Sequence, residues 1–306
     1  MFQFILKRFL ISIPTLVALL FLVFILMKSV PGGPFDSENT LPPQMMKTLQ
    51  EQYHFNDSIF LQFGQYLKNL SHGDLGPSFT YFGTRTVNEI IAESFPISFK
   101  LGFLSLIFAI LIGIPLGVWS AYYRGSWFDT SAMFLSIAGI SLPSYLVATV
   151  LILVFSVWMK LLPVALLEDA SSYVLPIVVL MLRPMALIAR MTRASLLDVL
   201  NADYIRTARA KGLNRQAVLY KHALRNSLIP VITMLGPLTA ALISGSFIVE
   251  VIFVIPGLGK YFISAVLDRD YTLIMGLSLL YGGLIIVANL IVDAMYATID
   301  PRMRIS

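Results

Sequence analysis

The 306-residue chain has no cysteine, only three histidines and an unusually small share of charge. Without cysteine there is no disulfide, thiolate metal site, iron–sulfur cluster or cysteine nucleophile. His54, His72 and His222 lie far apart and form no ligand-spaced cluster, so no metal site is expected. Charged residues make up 13% of the chain and hydrophobic residues 57%, where a soluble domain carries about 25% charged. Mean hydropathy is +0.80. Too little polar surface remains to coat a water-soluble globule of this length, so an integral membrane protein is expected. At about 20 apolar residues per crossing, there is room for six or seven spans plus loops.

Enzyme motifs are missing as well. There is no Gly-x-Ser-x-Gly, no His-Glu-x-x-His and no carboxylate pair beside a histidine, which argues against a membrane-embedded hydrolase. The run Gly257-Leu258-Gly259-Lys260 superficially resembles a phosphate-binding loop. That motif needs a glycine where Val254 stands and a serine or threonine where Tyr261 stands. No catalytic residue is assigned, and no nucleotide or other cofactor is expected on this chain. If ATP drives its work, another chain must hydrolyse it.

Long apolar stretches are what the sequence has in abundance: residues 9–27, 101–123, 130–159, 173–189, 226–249 and 271–292, charge-free but for Arg183 in the fourth. Runs of this length are helices, because barrel strands would alternate and be about half as long. The third is longer than a bilayer needs and is interrupted by Ser141-Leu142-Pro143; the fourth is broken by Arg183-Pro184. The first is too long for a signal peptide and is followed by no small-x-small cleavage site, so it reads as a retained anchor. The expected fold is an all-α membrane protein with six transmembrane helices. Its expected divisions are an N-terminal helix at 1–30, an outer cap at 31–96, five further helices over 97–298 and a tail at 299–306.

Lys and Arg set the orientation. Lys7 and Arg8 precede the first span, Arg124 follows the second, and Arg302 and Arg304 close the chain. Between spans four and five come Arg190, Arg193, Arg206, Arg209, Lys211, Arg215, Lys221 and Arg225. All these segments fall on one side if both termini are cytoplasmic, an N-in, C-in topology. On the other side, Pro42-Pro43 can open a helix, and Asn56-Asp57 reads as a turn or N-cap before a helix at 59–70. Gly73-Asp74-Leu75-Gly76-Pro77 has turn chemistry. Thr86 with Glu89 fits a capping box. This outer cap reads either as a lid on the helix ends or as a docking surface for an extracytoplasmic partner.

The cytoplasmic segment 194–225 is the most informative. Leu196, Leu197, Leu200 and Tyr204 mark a helical face, and Ala208 and Gly212 lie four apart on one face of a short helix that Gly212 can cap. Such a small-sided helix can sit in a groove of another protein; alternatively the segment only enforces topology and touches lipid headgroups.

The run Ile205-Arg206-Thr207-Ala208-Arg209-Ala210-Lys211-Gly212-Leu213, followed by His222-Ala223-Leu224-Arg225-Asn226 and Pro230, resembles the cytoplasmic signature of binding-protein-dependent ABC importer permeases. That pattern opens with Glu-Ala-Ala; here Arg206-Thr207-Ala208 stands there, so a contact made by the glutamate does not carry over. Glu250-Val251-Ile252-Phe253-Val254-Ile255-Pro256-Gly257-Leu258-Gly259, Asp268-Arg269-Asp270-Tyr271 and Asp293-Ala294-Met295-Tyr296 resemble the oligopeptide and dipeptide branch. Pro31-Gly32-Gly33-Pro34-Phe35 and Gly73-Asp74-Leu75-Gly76-Pro77-Ser78-Phe79 are similar to the B-type membrane subunit of oligopeptide permeases.

The resemblance implies a type I ABC importer permease in a bacterial inner membrane, forming half of a peptide pathway. It implies a C-type permease as heterodimer partner, two cytoplasmic ATPase subunits that bind ATP and Mg, and an extracytoplasmic peptide-binding protein. No nucleic-acid partner is expected. The ATPase-coupling element would be Tyr204, Arg206, Thr207, Ala208, Arg209, Ala210, Lys211 and Gly212. Candidate path or gate residues are Arg183, Thr239, Ser244, Glu250, Pro256 and Gly257. Arg183 reads either as facing an internal cavity or as half of an ion pair. Gly236, Ala240 and Ser244 read as close helix packing or as a polar path wall. Pro115, Pro143, Pro184 and Pro237 are candidate kinks. An ATP-independent carrier or channel remains the alternative class, for which intramembrane ionisable groups such as Arg183, Glu250 and Asp293 would be the candidates.

Overall fold

The computed structural model describes residues 2–32, 57–81, 84–167 and 169–299, and regular structure among them is helical apart from one bridge between Pro77 and Thr86. The helices are α1 (Phe2–Ser29), α2 (Ile59–Ser71), α3 (Val87–Tyr122), α4 (Trp127–Ser141) and α5 (Ser144–Leu151), the last prolonged by a wide π-type stretch, Ile152–Trp158. Then come α6 (Val174–Leu200), α7 (Asp203–Ala210), a mixed helical stretch from Arg215–Ala217 through Val218–Ala223 to Leu224–Ser227, α8 (Ile229–Ile243), α9 (Phe247–Ile252), α10 (Leu258–Leu267) and α11 (Tyr271–Ile299). The helix expected after Pro42-Pro43 lies outside the described residues.

Among the described residues, five stretches are long and apolar enough to cross a membrane: Leu6–Ser29, Val87–Tyr122, Ala170–Leu200, Ile229–Ile252 and Tyr271–Ala294. The sixth exists only as a bent pair. Trp127–Ser141 and Ser144–Trp158 meet at 107°, and each arm, 15 residues for α4, reaches only about 22 Å. The stretch 130–159, read above as one long interrupted span, is therefore an elbow. Pro143 explains the place: it lacks the N–H needed to continue α4 and instead stands as the N-cap of α5. The expected break at Arg183-Pro184 is corrected too. α6 runs unbroken through Pro184, which is buried in the packing, and membrane helices tolerate such a proline where neighbours compensate. Pro115 and Pro237 likewise lie inside continuous helices.

α3 begins at the expected capping box: Thr86 Oγ1 accepts from Glu89 N at 3.2 Å and the Glu89 carboxylate accepts from Thr86 N at 3.0 Å. At 36 residues it is about 54 Å long, well beyond the ~30 Å hydrocarbon core. The cap edge placed at 96 thus falls within α3. The bundle is built on α3 against α6. Ala109, Gly113 and Gly117 are buried at four-residue spacing, and a Cβ on Gly113 or Gly117 would come within 2.8 Å of Met185 O or 2.5 Å of Ala189 O. The backbones meet here because nothing larger stands between them.

α1 lies along α11 in the opposite direction. Arg8 pairs with Asp293 at one end, and Lys28 sits 5.2 Å above the Tyr271 ring at the other. Both ends of the described chain are therefore at the same end of the bundle. α8 starts there as well, since Gly236 packs on Asn289 and Val292 of α11. Gly236 is buried in this packing, and Ala240 is buried on the same helix. At the opposite end α2 and the turn after it cover the helix ends: Phe63 and Phe79 join Leu20, Phe24, Leu273 and Leu277 in one core cluster.

Candidate functional site

The signature segment folds as α7, eight residues held against the rest of the bundle. Ile205 and Ala208 are buried in a cluster with Val118, Leu196, Val218 and Leu219. Arg206, Thr207, Arg209, Ala210, Lys211 and Gly212 are exposed. Tyr204 is partly exposed, and its hydroxyl accepts from Asn226 Nδ2 at 2.9 Å. The expectation that Ala208 faces outward with Gly212 is thus overturned. Burial of Ile205 and Ala208 leaves Arg206, Arg209 and Lys211 toward solvent, interleaved with the smaller Thr207, Ala210 and Gly212. Arg206 lies 3.6 Å from Asp203 with both side chains largely exposed, a pair of little energetic weight.

Gly212 ends α7. Its φ is +81°, its N–H donates to Arg209 O at 2.9 Å, and Leu213 N donates to Ala208 O at 3.4 Å. This pair of bonds is a Schellman cap, which requires a left-handed residue at the glycine position.

At the opposite end, Glu250 is 3% exposed. Its carboxylate accepts from Ser98 Oγ at 2.8 Å and from Lys260 N at 3.1 Å, while Ser98 Oγ accepts from Leu258 N at 2.8 Å. A Cβ on Gly245, Gly257 or Gly259 would fall 2.5–3.0 Å from the Glu250 carboxylate. Three glycines thus form a tight cradle around one acid, binding the loop before α10 to α3. Glu250 and Gly257 therefore belong together, with Gly245 and Gly259 added to them. Pro256 is exposed at the rim. Thr239 and Ser244 direct their hydroxyls to main-chain oxygens of their own helix, Leu235 at 2.6 Å and Ala241 at 3.1 Å. Arg183 lies apart from all of these. It has no ion-pair partner among the described residues, and it opens into a cavity at the α4–α5 elbow.

Two clusters escaped the sequence reading. Asp129, at the start of α4, takes a bidentate pair from Arg193 (Nε to Oδ1 2.6 Å, Nη2 to Oδ2 2.8 Å), a hydroxyl from Ser120 and the N–H of Gly125 at 2.9 Å. This clamps the α3–α4 turn to α6. Asp270 is fully buried and accepts from Ser78 Oγ, Thr80 N at 2.9 Å and Leu273 N at 3.1 Å. It caps α11 and fastens the outer cap to it. Asp129 three residues after Ser126, and Asp270 three before Leu273, are N-cap spacings that offered a local signal; their distant partners had none.

Residues 113–305 match the family described as binding-protein-dependent transport system inner membrane component. The oligopeptide transport system permease protein OppB of Haemophilus influenzae is 42% identical, over 99% of this chain and all of that protein. The dipeptide transport system permease protein DppB of Bacillus subtilis is 42% identical over 100% and 99%. Among solved structures, an inward-facing MetNI methionine ABC transporter superposes with a TM-score of 0.55 at 18% identity, covering 69% of this chain and 96% of that one. An amino acid ABC transporter with histidines gives 0.51 at 16% identity, over 69% and 94%. Those two likenesses concern the fold, and they leave about a third of this chain without a counterpart. The sequence likeness extends across that third as well, and it makes this multi-pass membrane chain a member of the binding-protein-dependent ABC transporter permease family.

Proposed function

We propose that the chain is one of two membrane subunits of an ATP-driven peptide importer in a bacterial inner membrane. The observation that carries this reading is full-length 42% identity to permeases named for oligopeptide and dipeptide transport. Its partners are a homologous C-type permease, two cytoplasmic ATPase subunits that hold ATP and Mg, and an extracytoplasmic peptide-binding protein.

α7 is the element that receives the ATPases. Its exposed basic face and Schellman-capped end suit it to a groove on another protein, and its buried Ile205 and Ala208 make it move with the bundle. Closure of the ATPases would then be passed to α6 and α3, which the Asp129–Arg193 clamp joins at the same end. At the outer end, the cradle around Glu250 holds the loop before α10 as a unit, a suitable outer gate. The cap at 31–96 is the docking surface for the binding protein. Coupling of this kind requires contacts that differ between two states of the bundle.

The test is purification of the intact membrane complex through a tag on this chain. A second permease and ATPase chains should co-purify. Recovery of a homo-oligomer alone would favour an ATP-independent carrier instead.

A further inference from the structure

At the α4–α5 elbow the main chain is open in the middle of the membrane. α4 ends at Ser141 and α5 begins at Ser144. No donor among the described residues reaches the carbonyls of Ile140, Ser141 or Leu142. Arg183 faces the same place, in a cavity of about 330 Å³ that Ser141, Ser144, Tyr145, Val179 and Ile248 also line.

The depth follows from helix geometry. Arg183 lies nine residues beyond Val174, the start of α6, and ten before Arg193, which is paired with Asp129. At 1.5 Å per residue those are about 14 and 15 Å, the middle of a ~30 Å core. Tyr173, under the Lys100 ammonium at 4.1 Å, marks the outer interface. A guanidinium without a partner, together with non-helical backbone, does not face lipid at that depth. It faces protein or a water-filled cavity. Among the described residues no carboxylate meets it, which leaves the guanidinium available to an incoming anion.

We propose that Arg183 receives the C-terminal carboxylate of the peptide in transit, with the serine hydroxyls and elbow carbonyls beside it available to the rest of the peptide main chain. This rests on the reading that the chain forms half of a peptide pathway. The cavity volume falls at the lower end of the roughly 300–1,000 Å³ typical of small-ligand sites, larger than a single acidic side chain from a neighbouring subunit requires. A guanidinium fits a carboxylate by a bidentate pair, and one such group at a narrow point would grip a peptide of any side-chain composition.

The test uses the complete transporter in vesicles, with its binding protein present at saturation. Uptake is measured for one tripeptide as the free acid and as the C-terminal amide. Arg183→Gln should lower free-acid uptake about tenfold or more while the amide, where carried, is unaffected. Arg183→Lys should recover most of the loss, and Arg190→Gln, on the same helix near its inner end, should change nothing. In parallel, p-benzoylphenylalanine at position 145 should photo-crosslink the radiolabelled free acid during turnover, and Arg183→Gln should abolish that capture.

Unchanged uptake in Arg183→Gln would overturn the proposal, as would no capture at position 145 in the otherwise unmodified chain. Equal loss for acid and amide with a dissociating complex would also overturn it, in favour of a partner-subunit carboxylate. If the unmodified complex carries no peptide at all, it is the transport reading that fails.

Discussion

Replacing Gly212 by valine separates two ways in which the end of α7 matters. The added Cβ would meet nothing within 4 Å, so no clash arises inside the chain and the penalty is conformational. Holding an L-residue at φ +81° costs about 1–2 kcal/mol, more for a β-branched one. That shifts the capped population by roughly 5–30-fold. An isolated helix as short as α7 is not self-supporting, so loss of the bonds from Gly212 and Leu213 frays the turn that presents Arg209 and Ala210. Asparagine tolerates the left-handed region and should preserve the cap. The assay is peptide uptake and ATP turnover measured together in vesicles containing the full transporter. Gly212→Val should insert normally, lose most uptake and leave ATP turnover unresponsive to the binding protein, whereas Gly212→Asn should keep most of both. Asparagine as damaging as valine would place the cause in side-chain bulk at the partner surface. Valine transporting at the unmodified rate would remove this loop from the transmission path.

The other expectations concern stability. Asp129→Asn leaves Arg193, a quarter exposed, without its carboxylate; breaking a buried pair costs about 3–5 kcal/mol, here discounted for exposure to about 2–3, read as a fall in the thermal midpoint of the detergent-solubilised complex. Gly257→Ala puts a methyl 2.5 Å from Ser98 Oγ and Glu250 Cδ, and overpacking of that kind costs about 1–3 kcal/mol, visible as faster proteolysis of the loop before α10. Tyr66 has a buried hydroxyl with no partner among the described residues, and burial pushes its pKa up to about 12. Because the folded state favours the neutral phenol, its contribution is complete below pH 10 and fades between pH 10 and 12. Tyr66→Phe removes that buried hydroxyl, so it should hold or raise cap stability at neutral pH and flatten its loss above pH 10, as followed by limited proteolysis of α2.

The membrane helices were legible because a charge-free run of about 20 residues has few other stable forms. The caps of α3 and α7 were legible because Thr86 with Glu89, and Gly212, act within one turn of the chain. The α4–α5 elbow was located by Ser141-Leu142-Pro143, but its 107° bend depends on what α6 and α9 pack beside it. Pro184 misled for the converse reason: a local breaker is overruled when neighbouring helices hold the turn. Ala208 was placed on the wrong side because four-residue spacing tells which residues share a face and not which way that face turns. Asp129–Arg193 and Ser98–Glu250 join residues 64 and 152 positions apart, and no periodicity reports such pairs.

The central claim, that this chain conducts peptides under the control of ATP hydrolysed elsewhere, is tested most directly by uptake of a radiolabelled tripeptide into vesicles holding the purified complex. Uptake should require ATP inside the ATPase-facing compartment and the binding protein on the opposite side, and should be indifferent to a proton gradient. Uptake by this chain without ATPase subunits, driven by a proton gradient and abolished by its collapse, would contradict it.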